Sequence, residues 1–202
     1  MKHWLWLGGW GLDVDWQRRQ IEQLWPAIEH TILYPGELCS AKLNECCEKH
    51  PIDQLIGYSL GSFLILKDVE QLPEIPIVLL APILDFKAEQ SRGGRVDGRR
   101  LSILLRWLRR DAISALNDFY KQGGIDYSLG GGALPYGLDD LIWGIEQLRD
   151  CSVSPPSRKY LRGVLGSKDA LLDADCLKVL WPDLEVLPGV GHDLNELLKG
   201  MK

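Results

Sequence analysis

The sequence predicts an α/β fold with a mostly parallel sheet, and two observations carry that prediction. Short apolar runs alternate with amphipathic stretches along most of the chain, as parallel strands joined by helical crossovers require. One run, Leu55-Ile56, enters Gly57-Tyr58-Ser59-Leu60-Gly61 and passes directly into a helical pattern over 62–67. A strand, a sharp turn and a helix in that order can hold a serine clear of a sheet. At 202 residues, 46% apolar and 25% charged, the chain suits one domain with a real core.

Taken in order, residues 3–7 read as a buried strand ending in Gly8-Gly9-Trp10-Gly11, a loop that must approach something closely. Residues 13–29 carry helical periodicity through Trp16, Ile21, Leu24, Trp25 and Ile28, with Asp13 or Asp15 near the cap. A second strand spans 31–34 and a short helix 40–49, capped by Ser40. The Gly57–Gly61 turn and its helix follow, then a buried strand over 75–81. The segment 85–135 interrupts the alternation. It holds one long helical run, 99–120, and the glycines 130–132 of a hinge or exit loop. Beyond it come a helix over 139–148, a strand over 160–165, a helix over 173–181, a strand over 184–187 and a terminal helix from Asn195.

Bulk properties exclude several classes. A net charge of −5 gives no general attraction to nucleic acid. The longest apolar runs fall far short of the ~18 residues of a membrane span. Trp4-Leu5-Trp6-Leu7 is too short for a signal peptide and lacks a small-residue cleavage pattern. Cys39, Cys46, Cys47, Cys151 and Cys176 form an odd set without CxxC spacing. They fit free thiols in a reducing cytoplasm better than disulfides or a metal site.

Ser59 in its turn needs a base, and the base needs an orienting acid. Of His3, His30, His50 and His192, only His192 follows a terminal strand in a glycine-flanked loop. The acid is expected after the preceding strand, where Asp169 stands in Gly166-Ser167-Lys168-Asp169; Asp173 and Asp175 are alternatives that better suit a helix cap. The oxyanion donors would be the backbone N–H groups of Trp10 and Leu60. Gly9-x-Gly11-x-x-Val14 is a poor dinucleotide fingerprint, because its third small residue is missing and Trp10 occupies the turn. No metal or cofactor is called for.

The order Ser59, Asp169, His192 is that of the α/β-hydrolases, which the chain resembles. Within them, on Leu7-Gly8-Gly9-Trp10-Gly11-Leu12 above all, it is most similar to the pimeloyl-acyl-carrier-protein methyl ester esterases. That stretch resembles the family's His-Gly-Trp-Gly-Leu loop. Gly57-Tyr58-Ser59-Leu60-Gly61, Leu79-Leu80-Ala81-Pro82, Trp143-Gly144-Ile145-Glu146-Gln147-Leu148, Gly166-Ser167-Lys168-Asp169, Leu180-Trp181-Pro182 and Gly191-His192 extend the likeness. It departs at Gly8, where the family has histidine, which leaves the oxyanion loop one anchor short. It also lacks the leading hairpin. The fold implied is therefore an α/β-hydrolase with a shortened sheet of about six strands.

The resemblance implies a core of residues 1–84 and 136–202, with 85–135 as a helical lid. It implies a serine carboxylesterase that cleaves the methyl ester of a pimeloyl-type chain borne on acyl carrier protein, for biotin synthesis. The lid arginines would meet that acidic partner. Independently of it, residues 87–110 hold eight basic side chains against two acidic ones, enough to steer an anion. Arg95, Arg99, Arg100, Arg106, Arg109 and Arg110 are the candidates. Leu101, Leu104, Leu105, Trp107 and Leu108 would line an acyl channel or seat the lid. The other readings are a broad ester or thioester hydrolase that needs no carrier, and a non-catalytic binding module.

Overall fold

The computed structural model describes residues 2–37, 46, 51–129 and 132–201. Six strands form one parallel sheet: β1 (His3–Leu7), β2 (Glu29–Leu33), β3 (Gln54–Tyr58), β4 (Ile77–Leu80), β5 (Leu161–Gly166) and β6 (Glu185–Leu187). Their order is β2-β1-β3-β4-β5-β6. β3 and β4 are buried at successive residues, so both faces of the sheet are covered. The described helices are α1 (Val14–Leu24), α2 (Leu60–Asp68), α3 (Gly98–Arg110), α4 (Ala112–Gly123), α5 (Leu138–Asp150), α6 (Ala174–Leu180) and α7 (Leu194–Gly200). Of the helix expected over 40–49 only Cys46 is described; its cap Ser40, and Cys39, Cys47, His50, Gly130 and Gly131 lie outside the described residues.

Three elements differ from the sequence reading. α1 stops at Leu24 instead of reaching 29, because Pro26 pushes Trp25 out of the helical region, to φ −134° and ψ 62°. The chain is already in β2 by Glu29, so His30 is a strand residue rather than the end of a helix. The single run over 99–120 is two helices. Asp111 ends α3 in extended backbone (φ −155°) and caps α4, its carboxylate accepting from the Ser114 N–H at 3.1 Å.

The chain visits β1, moves out to β2, then returns to the other side of β1 as β3. That reversal opens a crevice at the carboxyl ends of β1 and β3, where open α/β sheets bind ligands. α2 leaves from this point and is apolar all round, with every residue from 60 to 66 buried. Helices α3 and α4, between β4 and α5, share the same core. Leu101, Leu105, Leu108, Leu116 and Tyr120 are buried, and α3 packs against α4 and α5. No helix among the described residues is long and apolar enough to cross a membrane.

Candidate active site

At the end of β3 the backbone turns through Ser59 at φ 53° and ψ −115°, a conformation rare for any residue with a side chain. Close packing holds it there. The Ser59 N–H donates to the Leu80 carbonyl at 2.9 Å, and the Ser62 hydroxyl donates to the same oxygen at 2.8 Å. A Cβ on Gly61 would sit 2.1 Å from the Leu7 carbonyl oxygen, and one on Gly57 would lie 2.8 Å from the Ser62 Cα. Those glycines let β1, β3 and α2 meet closely enough to stand the serine off the sheet.

Ser59, Asp169 and His192 come together. His192 Nε2 lies 2.9 Å from Ser59 Oγ, and Nδ1 lies 2.7 Å from Asp169 Oδ2. An ionised carboxylate only accepts, so Nδ1 carries the proton and Nε2 is left bare to accept from the serine hydroxyl. The other Asp169 oxygen accepts from the Leu171 and Leu172 N–H groups at 2.8 and 2.9 Å. The Asp169 and His192 side chains are wholly buried, while Ser59 as a residue retains 7% exposure. Asp173 caps α6 through the Cys176 N–H and pairs with Arg95, as the capping alternative expects. Its carboxyl is held below the usual range first by the Cys176 N–H and then by Arg95.

Neither the Trp10 nor the Leu60 N–H has a hydrogen-bond partner among the described residues. Leu60 opens α2, where an amide has no acceptor within the helix. The Trp10 side chain is fixed: Nε1 donates to the Leu141 carbonyl at 2.8 Å, and the indole meets Phe119 edge-on at 4.7 Å. Gly8 does not leave the loop slack. The Gly11 N–H donates to the Tyr136 hydroxyl at 2.6 Å, the Tyr120 hydroxyl donates to the Gly11 carbonyl, and Gln17 donates to the Leu12 carbonyl. Burial keeps Tyr120 and Tyr136 protonated far above the ordinary phenol range.

Sequence reasoning missed two further contacts. The Tyr58 hydroxyl donates to the His192 carbonyl at 2.7 Å, tying the histidine loop to the nucleophile's own turn. Burial, then the Asp193 and Asp169 carboxylates, raise its pKa, so it stays a donor. Asp193 caps α7 with one oxygen and accepts from the Asp126 N–H with the other. Tyr58 lies inside the Gly-x-Ser-x-Gly motif and could have been found there; Asp126 carries no local signal.

The arginines divide. Arg95 donates to the Asp169 carbonyl at 2.9 Å, and Arg109 pairs with Glu146 at 3.6 Å. Arg99, Arg100, Arg106 and Arg110 are exposed, and their guanidinium groups have no hydrogen bond or ion pair among the described residues. A cleft of about 620 Å³ opens between α3, α4 and the loop after β5. Leu101, Leu104, Trp107 and Phe119 form its apolar wall, with Arg95 and Arg100 beside them. Leu105 and Leu108, buried in the core like Leu101, do not line it. Among the described residues, no group of three or more His, Cys, Asp or Glu side chains is placed to hold a metal ion.

The architecture is that of the α/β-hydrolases. An esterase from Exiguobacterium antarcticum superposes with a TM-score of 0.71 at 14% identity, over 95% of this chain and 85% of that one. A thermophilic esterase from Thermogutta terrifontis gives 0.66 at 12% identity, over 95% and 83%. An epoxide hydrolase from hot-environment metagenomes, described as belonging to the α/β-hydrolase superfamily, gives 0.58 at 12% identity, over 99% and 87%. At such identities the likeness is one of fold. No protein-family model matches the chain, and no curated protein matches its sequence.

Proposed function

We propose that the protein is a serine hydrolase of carboxylic esters. The observation that carries this is the continuous hydrogen-bonded line from Asp169 through His192 to Ser59. Ser59 Oγ attacks the ester carbonyl as His192 Nε2 takes its proton; Asp169 holds the imidazolium that forms. The Trp10 and Leu60 N–H groups face the oxyanion. Collapse expels the alcohol, protonated by His192, and leaves an acyl-Ser59 ester. Water, deprotonated by the same imidazole, then adds and releases the acid. The esterases that share the fold support this class of reaction.

For the substrate, the reading is a medium-length acyl methyl ester carried on acyl carrier protein in the cytoplasm. The Gly-Trp-Gly loop, the apolar cleft and the unpaired arginines on α3 support it. A carrier-independent ester hydrolase is the second reading, favoured by Arg95 and Arg109 being already engaged within the protein. The test is reaction with a fluorophosphonate probe alongside turnover of p-nitrophenyl butyrate and a pimeloyl-carrier methyl ester. Wild type should be labelled at Ser59, and Ser59→Ala should lose labelling and about 10⁴-fold or more in turnover. A folded wild type that is neither labelled nor active would leave a binding module.

A further inference from the structure

The acid of the triad is held from outside its own loop. Asp169 presents one carboxylate oxygen to His192 because its other oxygen accepts from the Leu171 and Leu172 amides. Those two amides stay in place only if the 169–173 turn keeps its shape. That turn is paired with residues 93–95 of the segment after β4. The Arg95 N–H donates to the Leu171 carbonyl at 2.9 Å, and the Asp173 N–H donates to the Gly93 carbonyl at 2.8 Å. Gly94 and Leu172 form an antiparallel bridge between them.

Two glycines seat residues 93–95, Gly94 against the 85–86 backbone and Gly93 against Leu177 of α6. A Cβ on Gly94 would lie 2.2 Å from the Phe86 carbonyl carbon, and Gly93 sits at φ +91° with its would-be Cβ 2.3 Å from Leu177. Arg95 completes the pairing with its fork. One terminal nitrogen donates to the Asp169 carbonyl at 2.9 Å, and the other reaches the Asp173 carboxylate at 3.3 Å. The guanidinium therefore bridges both ends of the turn whose amides orient the acid.

We propose that Arg95 is a positioning residue of the hydrolytic site, which fixes the Asp169 turn and so keeps the Asp169–His192 hydrogen bond in line with Ser59. This gives Arg95 a role separate from the outward-facing arginines of α3. A planar fork can hold two acceptors in fixed geometry where a lysine holds one. The kinetic arm of the test rests on the hydrolase reading; the spectroscopic arm does not.

The experiment compares the full-length wild type with Arg95→Ala, Arg95→Lys and Asp173→Asn. The first readout is the far-downfield proton resonance of His192 Nδ1–H, assigned by its loss in Asp169→Asn. The second is turnover of p-nitrophenyl butyrate. In Arg95→Ala the resonance should move upfield or exchange away. Its kcat should fall about tenfold with KM within about twofold, as expected for a group that orients others and does not bind substrate. Arg95→Lys should fall between, and Asp173→Asn, which retains a capping side chain, should shift both readouts less. If Arg95→Ala does not fold, Arg95→Lys and Asp173→Asn carry the same comparison. An unchanged resonance and kcat in folded variants would overturn the proposal, as would a rise in KM alone or a wild type without the resonance. A wild type with the resonance but no turnover would sink the hydrolase reading and leave Arg95 testable.

Discussion

His30 shows how one side chain can fix its own protonation state. Its Nδ1 lies 3.1 Å from the indole Nε1 of Trp6, and its Nε2 lies 3.1 Å from the Trp25 carbonyl oxygen. The indole only donates and the carbonyl only accepts, so the neutral ring with its proton on Nε2 satisfies both. A second proton on Nδ1 would face the Trp6 donor. Burial lowers the pKa of His30, the Trp25 carbonyl opposing. The folded protein thus binds this proton less readily than the unfolded chain does. Its contribution to stability is complete above the unfolded value of about 6.5 and is lost as pH falls through the lowered folded value. Urea midpoints should therefore decline as pH drops below about 6.5, and His30→Gln should flatten that decline. An equally steep decline in His30→Gln would assign the effect to other groups.

At the scale of the element, α3 sorts its residues by face. Leu101, Leu105 and Leu108 face the core, while Arg99, Ile103, Arg106 and Arg110 face out. Leu105→Ala should lower stability by about 2–5 kcal/mol, as deletions at closed core sites do. Ile103→Ala, at a position 52% exposed, should stay within about 0.5 kcal/mol. Urea denaturation of both variants checks the contrast, and equal losses would mean that α3 seats differently. The leucine spacing made this helix legible in the sequence. The break after it was not, because the apolar period runs on from Leu108 to Leu116 and Asp111 looks like one more polar residue. The same limit applies at the site. Ser59, Asp169 and His192 each follow a strand and could be placed by local pattern. The Tyr136–Gly11 and Arg95–Asp169 contacts join positions 125 and 74 residues apart, and no local period reports such a meeting.

Across the whole molecule, charge is unevenly spread. The chain carries a net −5, yet the outer face of α3 presents Arg99, Arg106 and Arg110 around the exposed Ile103, unpaired among the described residues. Cations left in solvent add little to the stability of a fold. They do set up a field that speeds encounter with an anionic partner, and that field weakens with salt over a Debye length near 10 Å at ~0.1 M. The carrier-bound substrate proposed above is such a partner, whereas a small neutral methyl ester feels almost no steering. Reversing Arg99, Arg106 and Arg110 to Glu should then cut kcat/KM for the carrier-bound ester by about tenfold or more at low salt. The free ester should fall by a much smaller factor. Adding salt should slow the wild type on the carrier-bound ester and narrow its gap to the triple variant. If both substrates lose activity by the same factor, the arginines do not dock a carrier, and the carrier-independent hydrolase is the reading that stands.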